Sequence, residues 1–353
     1  MRFFKKSAAR ILCFLIIFSL LSGTCYFLFL KVDGTTFLTV YDYEKEDKID
    51  VLFVGNSLCR CDINPYIVDR NMGTNSFNLS KESAKFEGLY QLLKEELPKK
   101  NISNVVIVID PYQVFEPAEE TVVLAALSPY IRNPIDNVYY SMQTALEYGD
   151  GFDRFFPWRM FYEESPKSLI NNVIYKFNKE KCYKDKLYQF NHLGGRVYKG
   201  KGYGCHSMPI DSKSIKKAIT EKDHLSLNEN AIVQLKKHLL KIKQLCDKQK
   251  CTLTAITTPL IKDVVLRDGD YRKFFEITAS ACSDIEIEYL NFALIKEKYL
   301  SGDLNPHFYD GKSHLNGEGA DIFSSALSEV LKKYYAGENV DYYFYKNEQF
   351  FGK

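Results

Sequence analysis

Hydrophobic residues fall along this chain in two distinct patterns. The first is one unbroken run, Ile11 to Leu30 (ILCFLIIFSLLSGTCYFLFL), twenty residues without a charge. That length spans a hydrocarbon core as a helix. Residues 32–48 (VDGTTFLTVYDYEKEDK) then read as a polar, extended stalk. Beyond them short apolar runs alternate with segments of helical spacing. Ile49 to Val54 ends at Gly55 and suits a buried strand. Asn64-Pro65 reads as a helix start, with Asn as N-cap and Pro at the first helical position. A second short strand is expected at Ser76–Leu79. Phe86, Leu89, Tyr90, Leu93 and Leu97 then recur at helical spacing, and Pro98 closes that helix. Val105–Ile109 is β-branched throughout and predicts a central parallel strand.

The pattern breaks after Asp110-Pro111. Residues 112–225 hold irregular helical pieces, aromatic clusters and a Gly-rich loop (Gly194, Gly195, Gly200, Gly202, Gly204), and read as a mostly helical insertion. Alternation resumes with an amphipathic helix over Asn228–Lys250 and a strand over Thr252–Thr257. A helix at Asp270–Cys282, a strand at Ile285–Leu290 and a closing helix at Gly317–Tyr334 follow. The order predicts an α/β fold: a parallel five-stranded sheet with helices on both faces. Its two halves are 49–111 and 226–335. The aromatic tail, 336–353, reads as a packed segment or an added strand, with the membrane interface as the other possibility. No internal repeat or low-complexity tract is present.

Composition narrows the partners. Lys+Arg 47 against Asp+Glu 45 gives no global charge argument for nucleic acid. The 25 Tyr and 25 Phe, with Trp158 alone of its kind, are read first as core and surface filling and second as glycan contacts. Arg2, Lys5, Lys6 and Arg10 precede the apolar run, and only Lys31 and Asp33 follow closely. This bias places the N-terminus (1–10) in the cytoplasm, 11–30 across the membrane, and the rest outside. A cleaved signal peptide is the rival, but the run is long for one and lacks an A-x-A site. Cys25 also lacks the upstream aliphatic residue of a lipoprotein box.

Nine cysteines show no C-x-x-C pair and no metal-ligand spacing, so no metal or other cofactor is expected. Cys59 and Cys61 lie too close for a routine disulfide, and pairing of Cys246 with Cys251 is left open. Unpatterned thiols on an exported chain suggest a bacterial membrane protein in reducing surroundings.

Two motifs carry candidate chemistry. Gly55-Asn56-Ser57 ends the first strand; Asp310 and His314 lie in the loop before the last helix. In an open parallel sheet, functional groups gather beyond the C-terminal ends of strands, so these separated segments are expected to meet. A serine hydroxyl is a poor nucleophile until a base takes its proton. His314 is the candidate base, and Asp310 the group that fixes its tautomer. Each half has a plainer reading. The first is a common strand-to-helix turn, and the second is a capping turn with Ser313 or Asn316 as N-cap. His192, His206, His224, His238 and His307 show no ligand spacing. His238, with Lys236, Lys237, Lys241 and Lys243, reads as a solvated helix face.

Val54-Gly55-Asn56-Ser57 resembles block I of the SGNH/GDSL hydrolase superfamily, usually G-D-S. Phe77-Asn78-Leu79-Ser80 resembles block II, usually N-x-G, and Asp310…His314-Leu315-Asn316-x-x-Gly319 resembles block V, usually D-x-x-H. Ile63-Asn64-Pro65, Ser76-Phe-Asn-Leu79 and Phe308-Tyr-Asp310 are similar to a membrane-anchored branch. That branch is related to the SGNH-like proteins of teichoic-acid D-alanylation and alginate O-acetylation. The resemblance covers roughly 49–110 and 228–335 and omits the insertion. It implies a flavodoxin-like sheet and Ser/His-dependent O-acyl transfer to, or removal from, a cell-envelope polysaccharide. It also implies a membrane-bound O-acyltransferase as partner. The alternatives are a non-catalytic scaffold that docks on such a transferase or binds glycan, and a plain esterase. Asn56, Asn78 and Ser80 are the oxyanion-hole or binding candidates. The chain departs from the pattern in three places. Asp310 precedes His314 by four residues, Ser80 replaces Gly, and Ile109-Asp-Pro-Tyr-Gln113 stands where block III (G-x-N-D) is usual. Pro111 removes one N–H there, and loss of one oxyanion donor costs about 3 kcal/mol. The Gln113 amide is the candidate replacement.

Overall fold

The computed structural model describes the chain except residues 1, 30, 31, 33, 83, 116–130, 132, 134, 141, 143–164, 194, 207–209, 222–228, 268 and 353. Much of the expected insertion, with Trp158 and His224, therefore lies outside the described residues. Helix α1 (Arg2–Phe29) contains a 20-residue apolar stretch, Lys6–Cys25, none of it buried against the rest of the chain. An unburied apolar helix of this length near the N-terminus is a membrane anchor or a signal sequence.

The segment expected to be an extended stalk is instead helix α2 (Gly34–Lys45). Thr36, Thr39, Val40 and Tyr43 recur at helical spacing and are buried. Gly34 and four β-branched residues lower its intrinsic helix propensity, which hid the pattern. Packing compensates. Tyr41 lies against Tyr183, with ring centroids 4.6 Å apart, and Asp42 accepts from the Tyr183 and Tyr198 hydroxyls at 3.3 and 2.8 Å.

The central sheet is wholly parallel. Its strands are β1 (Lys48–Val54), β2 (Ser76–Asn78), β3 (Asn101–Val108), β6 (Thr252–Thr257) and β7 (Glu288–Asn291), in the order β2-β1-β3-β6-β7. Leu52 is in register with Phe77 on one side and Val105 on the other. Val51–Val54 and Val105–Val108 are almost fully buried, as expected of strands covered on both faces. Helices α3 (Ser57–Asp62), α4 (Pro65–Met72) and α13 (Gly317–Tyr335) pack together in one layer. Helices α5 (Phe86–Glu96), α10 (Glu229–Gln249) and α12 (Gly269–Ser283) form another. The last strand starts three residues later than expected, because 284–287 form a tight turn with Glu286 at φ 56°. Asn64 caps α4 as predicted, accepting from Tyr66 N at 3.1 Å. It also ties α4 to α13 through Ser324 Oγ and Asp321 Oδ1 at 2.7 and 2.6 Å. The tail folds back onto the domain, with Tyr343 buried and Tyr345 N donating to Leu294 O at 2.8 Å.

Helix α6 (Pro111–Phe115) follows β3. In the expected insertion, α7 (Pro166–Phe177), α8 (Lys179–Leu193) and α9 (Ser212–Thr220) are helices. The Gly-rich stretch is not a loop but a hairpin, β4 (Arg196–Gly200) and β5 (Tyr203–His206). Its turn docks on the edge of the main sheet, where Asn78 N donates to Lys201 O at 3.0 Å. Gly202 makes this approach possible. Its φ is +74°, and a Cβ there would lie 1.7 Å from Asn78 O. Gly202→Ala should lower unfolding stability by about 2–3 kcal/mol, since strain and a backbone clash coincide. Thermal unfolding of the detergent-solubilised full chain measures it; an unchanged midpoint would show that the hairpin does not need this contact.

Candidate active site

Gly55 lets helix α3 start directly beside β3: a Cβ there would meet Cys59 Cβ at 2.7 Å and Val108 Cβ at 2.9 Å. Asn56 caps the helix, its Oδ1 accepting from Leu58 N at 3.1 Å. Its Nδ2 donates to Asp110 Oδ2 at 2.5 Å, and Asp110 Oδ1 accepts from Tyr112 N at 2.7 Å. Asp110, buried at the end of β3, therefore holds the residue before Ser57 in place. Burial raises its carboxyl above the ordinary range, against the Asn56 and Tyr112 hydrogen bonds.

Ser57 Oγ lies 2.8 Å from His314 Nε2. His314 Nδ1 lies 2.9 and 3.1 Å from Asp310 Oδ2 and Oδ1. An ionised carboxylate only accepts, so Nδ1 carries the proton and Nε2 is free to accept from Ser57. The extra residue between Asp310 and His314 is absorbed by a tight turn. Ser313 N donates to Asp310 O at 3.2 Å, and Ser313 adopts φ 67°. Asp310 Oδ1 also accepts from the backbone N–H groups of Lys312 and His314 at 2.9 and 3.3 Å. The capping reading holds as well: Asn316 caps α13, accepting from Gly319 N at 2.9 Å.

The electrostatics suit a base held by a carboxylate. Burial alone would lower His314, but the hydrogen bond and charge of Asp310 outweigh it and raise His314 above its ordinary 6.5. Burial alone would raise Asp310, but the His314 contact brings it below its ordinary range. The side chains are 13% and 21% exposed, so the pair is shielded but reachable.

Asp62, at the far end of the helix begun by Ser57, binds the other segment. It is fully buried, and its Oδ1 accepts from Leu315 N at 2.8 Å. Its Oδ2 makes no hydrogen bond of ordinary geometry among the described residues. Burial pushes the group from 3.8 up to about 8. Between those values the folded state holds a proton that the unfolded chain releases, so stability falls as pH rises from about 4 to 8. An amide keeps the acceptor for Leu315 and is neutral without having to take up a proton on folding. Asp62→Asn should leave stability near pH 4 unchanged and raise it on the order of 2–4 kcal/mol near pH 7. Denaturant unfolding at the two pH values checks this; equal effects at both would remove the role assigned to Asp62.

The remaining expected residues are placed differently. Asn78 Nδ2 donates to Cys59 O and Ile63 O at 2.6 and 3.2 Å, so its amide fastens the end of α3. Gln113 Nε2 donates to Ala84 O at 2.9 Å, so one of its two N–H groups is held by the chain. The N–H groups of Ser57 and Ser80 make no hydrogen bond among the described residues. All nine cysteines are free. Among the described residues no group of three or more His, Cys, Asp or Glu is arranged for a metal ion.

The insertion reaches the site, which the sequence did not signal. Asp211 N donates to Tyr309 O, and Gly311 N to Ser214 Oγ, both at 2.8 Å, so α9 and the residue before it brace the loop that carries Asp310 and His314. From the hairpin, His206 stacks on Tyr309, and Arg196 shares Glu82 Oε1 with the buried Arg60 of α3. The end of a strand was a readable signal for Asp110. Asp62, Arg196 and His206 had none, because their partners lie 100 or more residues away in sequence. No protein-family model matches the chain, and no curated protein matches it.

Proposed function

We propose that this chain is a membrane-anchored, extracytoplasmic enzyme of SGNH type that moves O-acyl groups on a cell-envelope polysaccharide. The observation that carries the reading is the hydrogen-bonded series Ser57–His314–Asp310 beyond the C-terminal edge of a parallel sheet. The strand order, with the first strand between the second and third, supports a flavodoxin-like sheet of the SGNH kind. Ser57 Oγ attacks the acyl carbonyl as His314 Nε2 takes its proton. Asp310 stabilises the imidazolium and keeps the tautomer. The unpartnered N–H groups of Ser57 and Ser80 are the donors to the tetrahedral oxyanion. His314 then returns the proton to the leaving alcohol, and an acceptor hydroxyl or water releases the acyl group. The acyl donor is supplied by a membrane-bound O-acyltransferase, to which α1 keeps this domain adjacent.

The test is a burst. Full-length protein mixed with p-nitrophenyl acetate should release about one equivalent of p-nitrophenol rapidly, then turn over slowly. Absence of any burst from folded protein would favour the second reading, a non-catalytic scaffold. That reading has one observation in its favour: the Asn78 amide, an oxyanion-hole candidate, spends both N–H groups on backbone carbonyls.

A further inference from the structure

The hairpin of the insertion is locked to the catalytic domain at both ends. Its turn docks on Asn78 N through Lys201 O, and its last residue, His206, forms a parallel bridge with Asn316, two residues beyond His314. Between these points β5 packs on α3 and α13, the helices that follow Ser57 and His314. His206 is thereby carried into the site. Its ring lies face to face with Tyr309, with centroids 3.8 Å apart and planes at 9°, and 5.8 Å from the His314 ring. A stacked imidazole presents only its edge. That edge is polar, yet His206 makes no side-chain hydrogen bond among the described residues although the residue is only 9% exposed. A polar edge that makes no hydrogen bond among the described residues, beside a base already engaged with its nucleophile, is a place for a ligand group.

The surroundings say which kind. Burial first, then the charges of Arg196 and His314, push His206 down to about 4, against the pull of Asp310. Arg196 is its cross-strand partner and is paired with Glu82. A neutral imidazole has one N–H donor and one acceptor nitrogen; an alcohol hydroxyl, itself donor and acceptor, can use either, whereas a carboxylate or phosphate can use only the N–H.

We propose that His206 is an acceptor-binding residue, holding the hydroxyl of the alcohol that receives the acyl group from Ser57. This rests on the acyl-transfer reading above. In the step concerned the acceptor oxygen forms its bond to the acyl carbon as the Ser57 Oγ–carbon bond breaks. The acceptor proton passes to His314 and on to Ser57 Oγ. His206 loses no proton; it fixes the acceptor and takes the place of a water molecule. The chain thus favours transfer to alcohols over hydrolysis through a residue of the insertion.

The experiment uses the full chain in detergent, p-nitrophenyl acetate as donor and glycerol as acceptor, with p-nitrophenol, acetate and acetylglycerol measured together. In the His206→Phe variant, which keeps an aromatic ring on Tyr309, the burst should stay within about twofold of wild type. The acetylglycerol-to-acetate ratio should fall about 10-fold, the scale of one lost hydrogen bond. His206→Gln, with a donor and an acceptor, should recover much of that ratio. A ratio unchanged in His206→Phe overturns the proposal. So does a burst that falls in step with transfer, since that marks a mere support for His314. A wild-type burst without acetylglycerol overturns it while leaving the Ser57 chemistry standing. A wild type without a Ser57-dependent burst removes the acyl-transfer reading and this inference with it.

Discussion

Ser57→Ala is expected to lower acyl transfer by at least about 1,000-fold, and to abolish the p-nitrophenol burst. The loss follows from the geometry. Ser57 Oγ is the oxygen in contact with His314 Nε2, at 2.8 Å. The Ser57 and Ser80 N–H groups, which make no hydrogen bond among the described residues, survive the substitution, so the proposed oxyanion stabilisation should remain in part. No covalent acyl-enzyme can form. The fold should be unaffected, because the cap of α3 comes from Asn56 and not from Ser57. Single-turnover kinetics with wild-type and variant protein, alongside their thermal unfolding, separate lost chemistry from lost structure. A burst that persists in Ser57→Ala would move the nucleophile elsewhere.

Asp310→Asn is expected to cost about 100- to 10,000-fold in turnover, and to shift the pH profile. The carboxylate contacts His314 Nδ1 through both oxygens. An amide can present its own N–H to that nitrogen, which favours the wrong tautomer and puts a proton on Nε2. The sign of the pH effect is fixed by chemistry. In the proposed mechanism His314 works as a neutral base, so kcat/KM should rise with pH as the imidazolium loses its proton. Asp310 raises His314 above 6.5, so the wild-type rise should be centred above that value. Without the negative charge the midpoint should move to lower pH, while the plateau falls. A pH profile of kcat/KM for both proteins checks the two effects together. An unshifted midpoint would mean that Asp310 does not govern the base.

Much of the fold was legible because parallel strands buried on both faces are written as short apolar runs. Ile49–Val54 and Val105–Ile109 needed little else. Ser57 and His314 were legible for a topological reason: a strand end and the loop before the last helix meet at one edge of such a sheet. Asp310 was harder. Sequence spacing measures residues, whereas reach depends on the turn, and Ser313 at φ 67° shortens the path. The stalk was misread because Gly34 and a run of β-branched residues favour an extended chain locally. Tyr41 and Asp42 gain their helical partners only from α8 and β4, more than 130 residues later. Asn78 carried an amide of the right type, but residue type does not reveal that the Cys59 and Ile63 carbonyls take both of its N–H groups. His206 belonged to a segment with no regular pattern, and its neighbours Tyr309 and His314 are brought to it only by the folded chain.

A fluorophosphonate probe asks whether Ser57, His314 and Asp310 act as one unit. The probe bonds covalently to a serine only where a base activates it. The full-length protein should be labelled on the peptide that contains Ser57. Labelling should vanish in Ser57→Ala and fall steeply in His314→Ala. If folded wild-type protein takes up no probe, or takes it up equally in all three, the three residues form a structural hydrogen-bond series and not a catalytic one.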